Sequence, residues 1–410
     1  MIDSMTKIYR YFRHFRTIVV ALLITAVLAI VTVSAAETAE TIAWNVTFSP
    51  ENNNKFDAVA STADGGYIAL GSALTEVYGG TEGLLLVKTD GVGNEVWTGR
   101  FPDLAPASVA ETSDGGYIIG SYNVSRTVVD ENSIYSGSSV LIRTDAAGAE
   151  AWRQVLPNMK VSTVAETADG GYVAFGWLWS PSESMDNTTA IVTKTDGNGA
   201  PVWSRTFPGA SANAGLVTAD GGYILGGTTS PFNNDIGDAF LIRLDVDGNT
   251  LWRKNYAAPV IMDIEETDEG GFVYSGNYWY GLVDAQGEEV WLKNMEGLTG
   301  YSVVLRPSGG YIVAGTDIRS GEGFVLVTDP DGTIRWNTTF PETGVYAATG
   351  APGGYTLAGI RFLSPDTSAA WLAGLEETTA EATPTAPGFG AIGAGAALLL
   401  LLVAGRKRRR

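Results

Sequence analysis

Along most of the chain the apolar residues come in short runs, each stopped by an Asp/Gly or Gly-Gly step, and none holds a helical period. Leu84–Lys88 and Phe240–Leu244 are typical, ending at Asp90 and Asp245. Short apolar runs bounded by turn residues predict β-strands joined by tight turns. Two longer apolar stretches, Ile18–Val33 and Phe389–Gly405, stand at the ends of the chain and predict helices.

The turn signals recur. A glycine pair followed by an aromatic appears at Gly65-Gly66-Tyr67, Gly115-Gly116-Tyr117, Gly170-Gly171-Tyr172, Gly221-Gly222-Tyr223, Gly270-Gly271-Phe272, Gly309-Gly310-Tyr311 and Gly353-Gly354-Tyr355. A second signature, Asp with Gly three on and Trp four further, runs from Asp90/Gly93/Trp97 through Asp145/Gly148/Trp152, Asp196/Gly199/Trp203, Asp245/Gly248/Trp252 and Asp284/Gly287/Trp291 to Asp329/Gly332/Trp336. Strand, Asp/Gly turn, strand is a hairpin. The second repeat then reads as four strands: Ser108–Thr112, Tyr117–Gly120, Val140–Thr144 and Trp152–Leu156. Four short antiparallel strands in each repeat of this length predict a β-propeller of seven blades. A β-helix would need shorter repeats, and a leucine-rich repeat would show its Leu/Asn ladder.

The two signatures are offset at the ends. Trp44–Phe48 is a Trp strand with no turn before it, and Ala370–Leu375 is a third strand with no Trp strand after it. Trp44–Phe48 is therefore expected to complete the last blade, closing the ring and removing the exposed edge of an open array. The repeated Tyr, Trp and Phe are expected to pack between blades, and the glycine pairs and Asp/Gly turns to serve backbone positions needing positive φ. Asp245–Asp247 and Asp329–Asp331 lack the later ligands of a calcium loop and are read as turn chemistry.

The ends predict export and anchoring. Lys7, Arg10, Arg13 and Arg16 precede the first apolar stretch, and Ser34, Ala35 and Ala36 follow it, the pattern of a signal peptide over 1–36. An uncleaved N-terminal anchor is the alternative. The propeller is assigned to 37–375, and 376–386 is a Thr-rich linker. In 387–410 an apolar helix ends in Arg406-Lys407-Arg408-Arg409-Arg410, cations that keep that end cytoplasmic. Pro387, Gly388 and Phe389 stand just before the helix. This order resembles the PGF-CTERM sorting signal of archaeal surface proteins. That resemblance implies signal peptidase and an archaeosortase-like enzyme as processing partners, with lipid replacing the removed helix. A simple single-pass anchor is the alternative.

Charge and composition narrow the chemistry. The formal net charge is −19, and the segment between the two end signals keeps 17 basic against 44 acidic residues. Such a field argues against nucleic acid and anionic lipid as partners and favours cations or basic partners. Cysteine is absent and the single histidine is His14, inside the signal. A mature chain without His or Cys cannot build a Ser–His–Asp triad, a Cys–His pair or a His-ligated metal site. No catalytic residue, metal or cofactor is assigned.

The Asp-x-x-Gly-x-x-x-Trp hairpin resembles the repeats of quinoprotein-type and outer-membrane-assembly propellers, and the closure resembles that of WD-repeat propellers. The resemblance concerns the scaffold over residues 42–375 and transfers no site residue. A binding site is expected on the face where connections vary, between second and third strands: Ser72–Glu82, Ser121–Ser138, Trp177–Thr189 and Thr228–Asp238. These segments carry Tyr78, Tyr122, Tyr135, Trp177, Trp179 and Phe232, with Asp130, Glu183 and Asp235; Trp279 occupies the shortened equivalent in the fifth repeat. Aromatics beside carboxylates suit a glycan, a basic protein or a cation. Covering the undersides of the loops is the alternative role. Asn45, Asn123, Asn187 and Asn337 each begin an N-glycosylation motif. The expected function is a non-catalytic surface module for interaction, adhesion or the envelope layer. The alternatives are a carboxylate-dependent glycosidase or lyase, and a solute- or cation-binding surface protein.

Overall fold

The computed structural model describes residues 38–48, 53–74, 81–129, 132–179, 188–229, 238–365 and 367–379. The expected signal peptide and sorting segment lie outside the described residues. Within that set every regular element is a β-strand.

β1 (Thr38–Phe48) comes first. The first repeat supplies β2 (Asn54–Ser61), β3 (Tyr67–Leu74), β4 (Thr81–Thr89) and β5 (Glu95–Pro102), and the second β6 (Ala105–Glu111), β7 (Tyr117–Val129), β8 (Asn132–Thr144) and β9 (Glu150–Pro157). The third gives β10 (Met159–Glu166), β11 (Tyr172–Leu178), β12 (Thr189–Thr195) and β13 (Pro201–Pro208); the fourth gives β14 (Ser211–Val217), β15 (Tyr223–Thr228), β16 (Ala239–Leu244) and β17 (Thr250–Tyr256). The fifth and sixth run through β18 (Asp263–Glu266), β19 (Phe272–Ser275), β20 (Asn277–Val283), β21 (Glu289–Leu305), β22 (Tyr311–Asp317), β23 (Gly323–Thr328) and β24 (Ile334–Phe340). β25 (Thr343–Ala351), β26 (Gly354–Ser364) and β27 (Thr367–Thr379) complete the set.

Each of the first four repeats is one antiparallel four-stranded sheet in chain order, and β18 to β24 form a single seven-stranded sheet. In that sheet Glu289–Asn294 pair with β20 and Leu298–Leu305 pair with β22, so β21 ends one repeat and begins the next. The last sheet has the order β1-β27-β26-β25. The orphan Trp strand thus sits where its missing partner should be. The first strands touch in sequence, β2 to β6, β10, β14, β18, β21, β25 and back to β2.

The core lies between neighbouring sheets. Ile68, Leu84 and Phe101 of the first repeat, for example, pack on Val109, Ile119 and Ile142 of the second. At six of the junctions the Trp of the outer strand lies against the aromatic that follows the next glycine pair. Ring centroids are 5.8 Å apart for Trp97–Tyr117, 5.6 Å for Trp152–Tyr172 and 5.5 Å for Trp203–Tyr223. Trp44 of β1 repeats this on Tyr67 at 5.7 Å. The same indoles cover the turn glycines Gly93, Gly148 and Gly199, which leave no room for a Cβ.

The glycine pairs serve two different needs. Gly65 has φ +82°, where a side chain is strained. Gly66 does not share that conformation; a Cβ there would overlap the carbonyl oxygen of Thr89. Positive φ therefore holds for the first glycine of every pair, and for the second only in Gly309-Gly310, where Gly310 has φ +83°. Strands are also longer than expected. β27 continues to Thr379, past the expected domain end at 375. Ser121–Ser138 is an extended hairpin and not a loop: β7 and β8 stay paired out to Val129↔Asn132. Its β-branched Val124, Thr127, Val128 and Val129 favour the extended backbone that carries the ladder on.

The turns after the first strands are stapled by ion pairs. Thr62 Oγ1 donates to Asp64 at 2.6 Å, and the Lys88 ammonium, on the third strand, reaches the same carboxylate at 3.0 Å. Asp114 with Arg143, Asp169 with Lys194 and Asp220 with Arg243 repeat the arrangement. Where Glu269, Ser308 or Pro352 takes the place of the Asp, the cation is replaced by Leu282, Val327 or Gly374. The hydroxyl and then the cation hold Asp64 at about 2. Its contribution is present above pH 4 and is lost as pH falls toward 2.

The cation is the buried partner: Lys194 is 5% exposed, whereas the Asp169 side chain is 67% exposed. Asp169→Ala leaves an ammonium buried against Thr195 O alone and should cost about 3 kcal/mol. Lys194→Met leaves a carboxylate that water can solvate and should cost under about 1 kcal/mol. Urea denaturation of the two variants checks this; equal losses would contradict it.

Candidate functional site

The first strand of each repeat begins at the end of the ring where second strands finish, since Asn54 pairs with Ala73 and Met159 with Leu178. That is the end with the long connections. Just inside it the register of β2, β6, β10, β14, β21 and β25 slips by one residue. Asp57, Ala107, Ser162, Asn213, Tyr301 and Tyr346 are left out of the ladder. A bulge turns its residue away from the sheet and bends the strand. Opposite five of these bulges stands a glycine, Gly71, Gly176, Gly227, Gly315 or Gly359, where a Cβ would overlap the first-strand carbonyl.

The bulged residues link neighbouring first strands. Ser162 Oγ donates to Ala212 O at 2.9 Å, and Asn213 Nδ2 donates to Ile261 O at 3.2 Å. One position further on, Asp263 accepts from Val303 N at 2.9 Å, Ser302 Oγ at 3.0 Å and Ile264 N at 2.9 Å. The inner ring is thereby held by side chains as well as by packing.

Around one side of this mouth runs an arc of aromatic and charged groups. Tyr301 packs edge-on against Tyr346 at 5.8 Å, and the Lys55 ammonium lies 5.4 Å from the Tyr346 ring. Lys55 is ion-paired with Asp57, whose negative charge, second to burial, raises the Tyr122 phenol. Lys160 sits over the Tyr122 ring at 4.9 Å and 5.7 Å from that of Trp177, which meets Trp179 at 4.7 Å. Burial raises Asp57 despite Lys55, and burial lowers Lys160.

Beside the Tyr301 end of the arc are two half-buried carboxyls on β18. Burial lifts Asp263 to about 6 against the pull of its three donors. Glu265 rises to about 8, through burial and then through the charge of Asp263. The matching residues of other repeats are Ala60, Ala110, Ala165, Leu216, Val304 and Thr349, so Glu265 takes a place that is otherwise mostly apolar.

Of the residues singled out in the sequence, the structure brings Tyr122, Trp177 and Trp179 to this arc. Trp177 is nearly buried, while Tyr122 and Trp179 are half-buried. Trp279 is on a strand, opposite Asn294, and packs with the cluster of Ile264 and Tyr274. Tyr135 lies in β8 opposite Arg126. Tyr78, Asp130, Glu183, Phe232 and Asp235 lie outside the described residues, as does Asn187. Asn45 and Asn337 are exposed on the outer strands β1 and β24. Asn123 is exposed and accepts from Ser138 N at 3.1 Å. Lys55, Asp57, Lys160, Tyr301, Tyr346, Asp263 and Glu265 were not anticipated. Aligning the repeats on the glycine opposite each bulge would have exposed them as the places where small residues give way to charge or aromatic.

No family model and no curated protein matches this sequence. Solved structures match it by fold. The WD40 β-propeller domain of Doa1 superposes with a TM-score of 0.56 at 13% identity, over 83% of this chain and 98% of that one. The fold is a β-propeller. The β-propeller domain of Myceliophteria thermophila Cps50 (Swd1) gives 0.54 at 12% identity, over 81% and 99% of the two chains. The Neurospora crassa Pan2 WD40 domain gives 0.52 at 12%, over 83% and 96%. At these identities the likeness concerns the propeller scaffold and carries no site residue across.

Glu265 makes the propeller sensitive to pH. Its folded value of about 8 lies above its unfolded value near 4.5, so the proton it keeps stabilises the fold fully below pH 4.5. That contribution is lost as pH rises through 8. Glu265→Gln should raise the Tm at pH 9 by about 3 °C or more and leave it nearly unchanged at pH 5. Thermal melts at the two pH values check this, and a variant whose Tm differs from wild type by the same amount at both would contradict it.

Proposed function

We propose that the chain is a seven-bladed surface propeller working as an interaction module, with the seven-stranded sheet counting as two blades that share β21. Its ligand, a protein or a glycan, is taken at the channel mouth and along the β7–β8 arm. What carries this reading is the contrast between the two ends of the ring. One end repeats the same closed turns, with their hydrogen bonds satisfied within the repeat and, at Ala63, Ser113 and Ala219, by a glutamate of the next one. The other gathers groups that do not repeat: the Tyr301-to-Trp179 arc and an arm that stays paired to Val129↔Asn132. A free two-stranded ribbon is marginal in water and gains stability from a partner laid along it.

The sequence supports the surface placement. A signal peptide over 1–36 exports the chain, and the 387–410 segment holds it to the membrane directly or through archaeosortase-type processing at Pro387-Gly388-Phe389. Cation or solute binding is the weaker reading: among the described residues no three potential ligands converge on one point. A glycosidase or lyase would draw on Asp263 and Glu265, whose affinities for protons are pushed apart. Asp263 is engaged by three donors, two of them on β21 and so joining it to β18, which favours bracing over catalysis.

Replacing residues 124–136 by a two-residue Asn-Gly turn tests the reading, with Trp179→Ala and Tyr135→Ala as point variants. Each should weaken binding of the protein to isolated cell envelopes by about tenfold, a loss of ~1.4 kcal/mol. Melting temperatures should stay close to wild type. Envelope binding unchanged in all three would refute an interaction site on this face.

A further inference from the structure

Two lysines occupy the same place in two repeats, and only one has a counter-ion. Lys55 and Lys160 each stand two residues before the bulge of their first strand, each with its ammonium over an aromatic ring of the preceding repeat. In β2 the bulge residue is Asp57, which pairs with Lys55 and also accepts from Ser72 at 3.4 Å. In β10 the bulge residue is Ser162, and its hydroxyl is spent on Ala212 O. The residue opposite the lysine changes in step, from Ser72 to Trp177. Among the described residues no carboxylate lies within ion-pair distance of Lys160. Lys160 is half-buried, and an ammonium walled by Tyr122 and Trp177 with no counter-charge is costly to desolvate.

A second donor stands one ring removed from it. The indole N–H of Trp179 is buried and meets no acceptor among the described residues. Trp179 packs on Trp177, the ring beside Lys160. Two donors lacking acceptors, set beside aromatic faces, describe the ligand by its complement. It has a negative charge for the ammonium, a further acceptor for the indole, and a flat face for Tyr122 and Trp179. Inorganic phosphate offers charge without the face, and a neutral sugar offers the face without charge. With a formal charge of −19, the protein also disfavours dense polyanions and tolerates one carboxylate held at close range.

We infer that Lys160, with Trp179, Tyr122 and Trp177, forms a subsite for a carboxylate-bearing sugar, a hexuronate unit of an acidic glycan. The subsite leaves blade one closed by its own Asp57 and blade three open to a ligand's carboxylate. This assignment rests on the reading of the channel mouth as the binding face and names the chemistry of one part of it.

The test measures reductive methylation of individual lysines in the full-length protein by peptide mass spectrometry over a pH series. Runs are made alone and with D-glucuronate, D-glucose, acetate or N-acetyl-diglycine. Glucuronate should slow methylation of Lys160 at least fivefold and move its titration upward, glucose should not, and Lys55 should be unaffected by either. Ser162→Asp, which copies the Asp57 arrangement, should slow Lys160 without ligand and abolish the response to glucuronate. Because Ser162 also holds Ala212, Lys160→Gln is the second variant; it should lose glucuronate binding by calorimetry while keeping the wild-type melting temperature within a few degrees. Glucuronate protecting Lys160 no better than glucose overturns the subsite, as does unchanged calorimetric binding in Lys160→Gln. Equal protection by acetate, or stronger protection by N-acetyl-diglycine, overturns the sugar assignment. Failure here leaves envelope binding by the β7–β8 arm unaffected, and the arm replacement reads that separately.

Discussion

A tryptophan laid across the gap between two sheets is the contact on which the rest of this propeller depends. Six outer-strand indoles, from Trp44 to Trp291, cover the aromatic after the next glycine pair and the turn glycine beside it, as Trp152 does with Tyr172 and Gly199. Nothing larger than glycine fits beneath the ring, so the turn, the strand spacing and the angle between sheets are set by one contact. Repeated around the ring, that geometry has to close. It closes through Trp44, which makes the same contact on Tyr67 and Gly93 although it comes from the opposite end of the chain. A ring without disulfides is thereby held by burial at each junction, and its first and last strands are stitched into one sheet.

That economy explains the asymmetry of the two ends. At the turn end the requirements of the indole, the glycine pair and the Asp–cation staple leave little freedom. When the staple is lost both partners go together, as with Glu269 and Leu282 or Ser308 and Val327. At the other end the only recurrent demand is the bulge and the glycine opposite it. The bulge residue itself is free to differ: Asp57, Ala107, Ser162, Asn213, Tyr301, Tyr346. Function can therefore be written at this mouth without disturbing the junctions, by varying one residue per repeat and the connection above it.

The half-buried titratable groups at the mouth show how far this freedom goes. Lys55 carries its own counter-ion, Asp263 has its three donors, and Lys160 and Glu265 have neither. The first two behave as braces of the inner ring. The last two bear a cost that the fold does not require, since Ala60 or Leu216 fills the place of Glu265 elsewhere. Residues that cost stability without serving a junction are where binding is to be sought.

The repeat, the strand order within it, the closing role of Trp44–Phe48 and the packing role of the repeated aromatics were all legible in the sequence. Each is a local pattern of turn glycine, apolar run and aromatic at fixed spacing. Asp64 and Lys88 were visible as residues but not as partners, because they meet only when the third strand folds back beside the first turn. The Ser121–Ser138 segment read as a loop because its alternation is weak, and only pairing across the hairpin revealed the arm. Lys55, Asp57, Lys160, Tyr301, Tyr346 and Glu265 come from repeats scattered along the chain. No short-range pattern relates them; closure of the ring brings their strands together, and a one-residue bulge decides which side chain faces the mouth. Sequence alone determined the scaffold, because six of the junctions repeat the same local contact. The tertiary structure decided the site, because it lies where the repeats differ and converge.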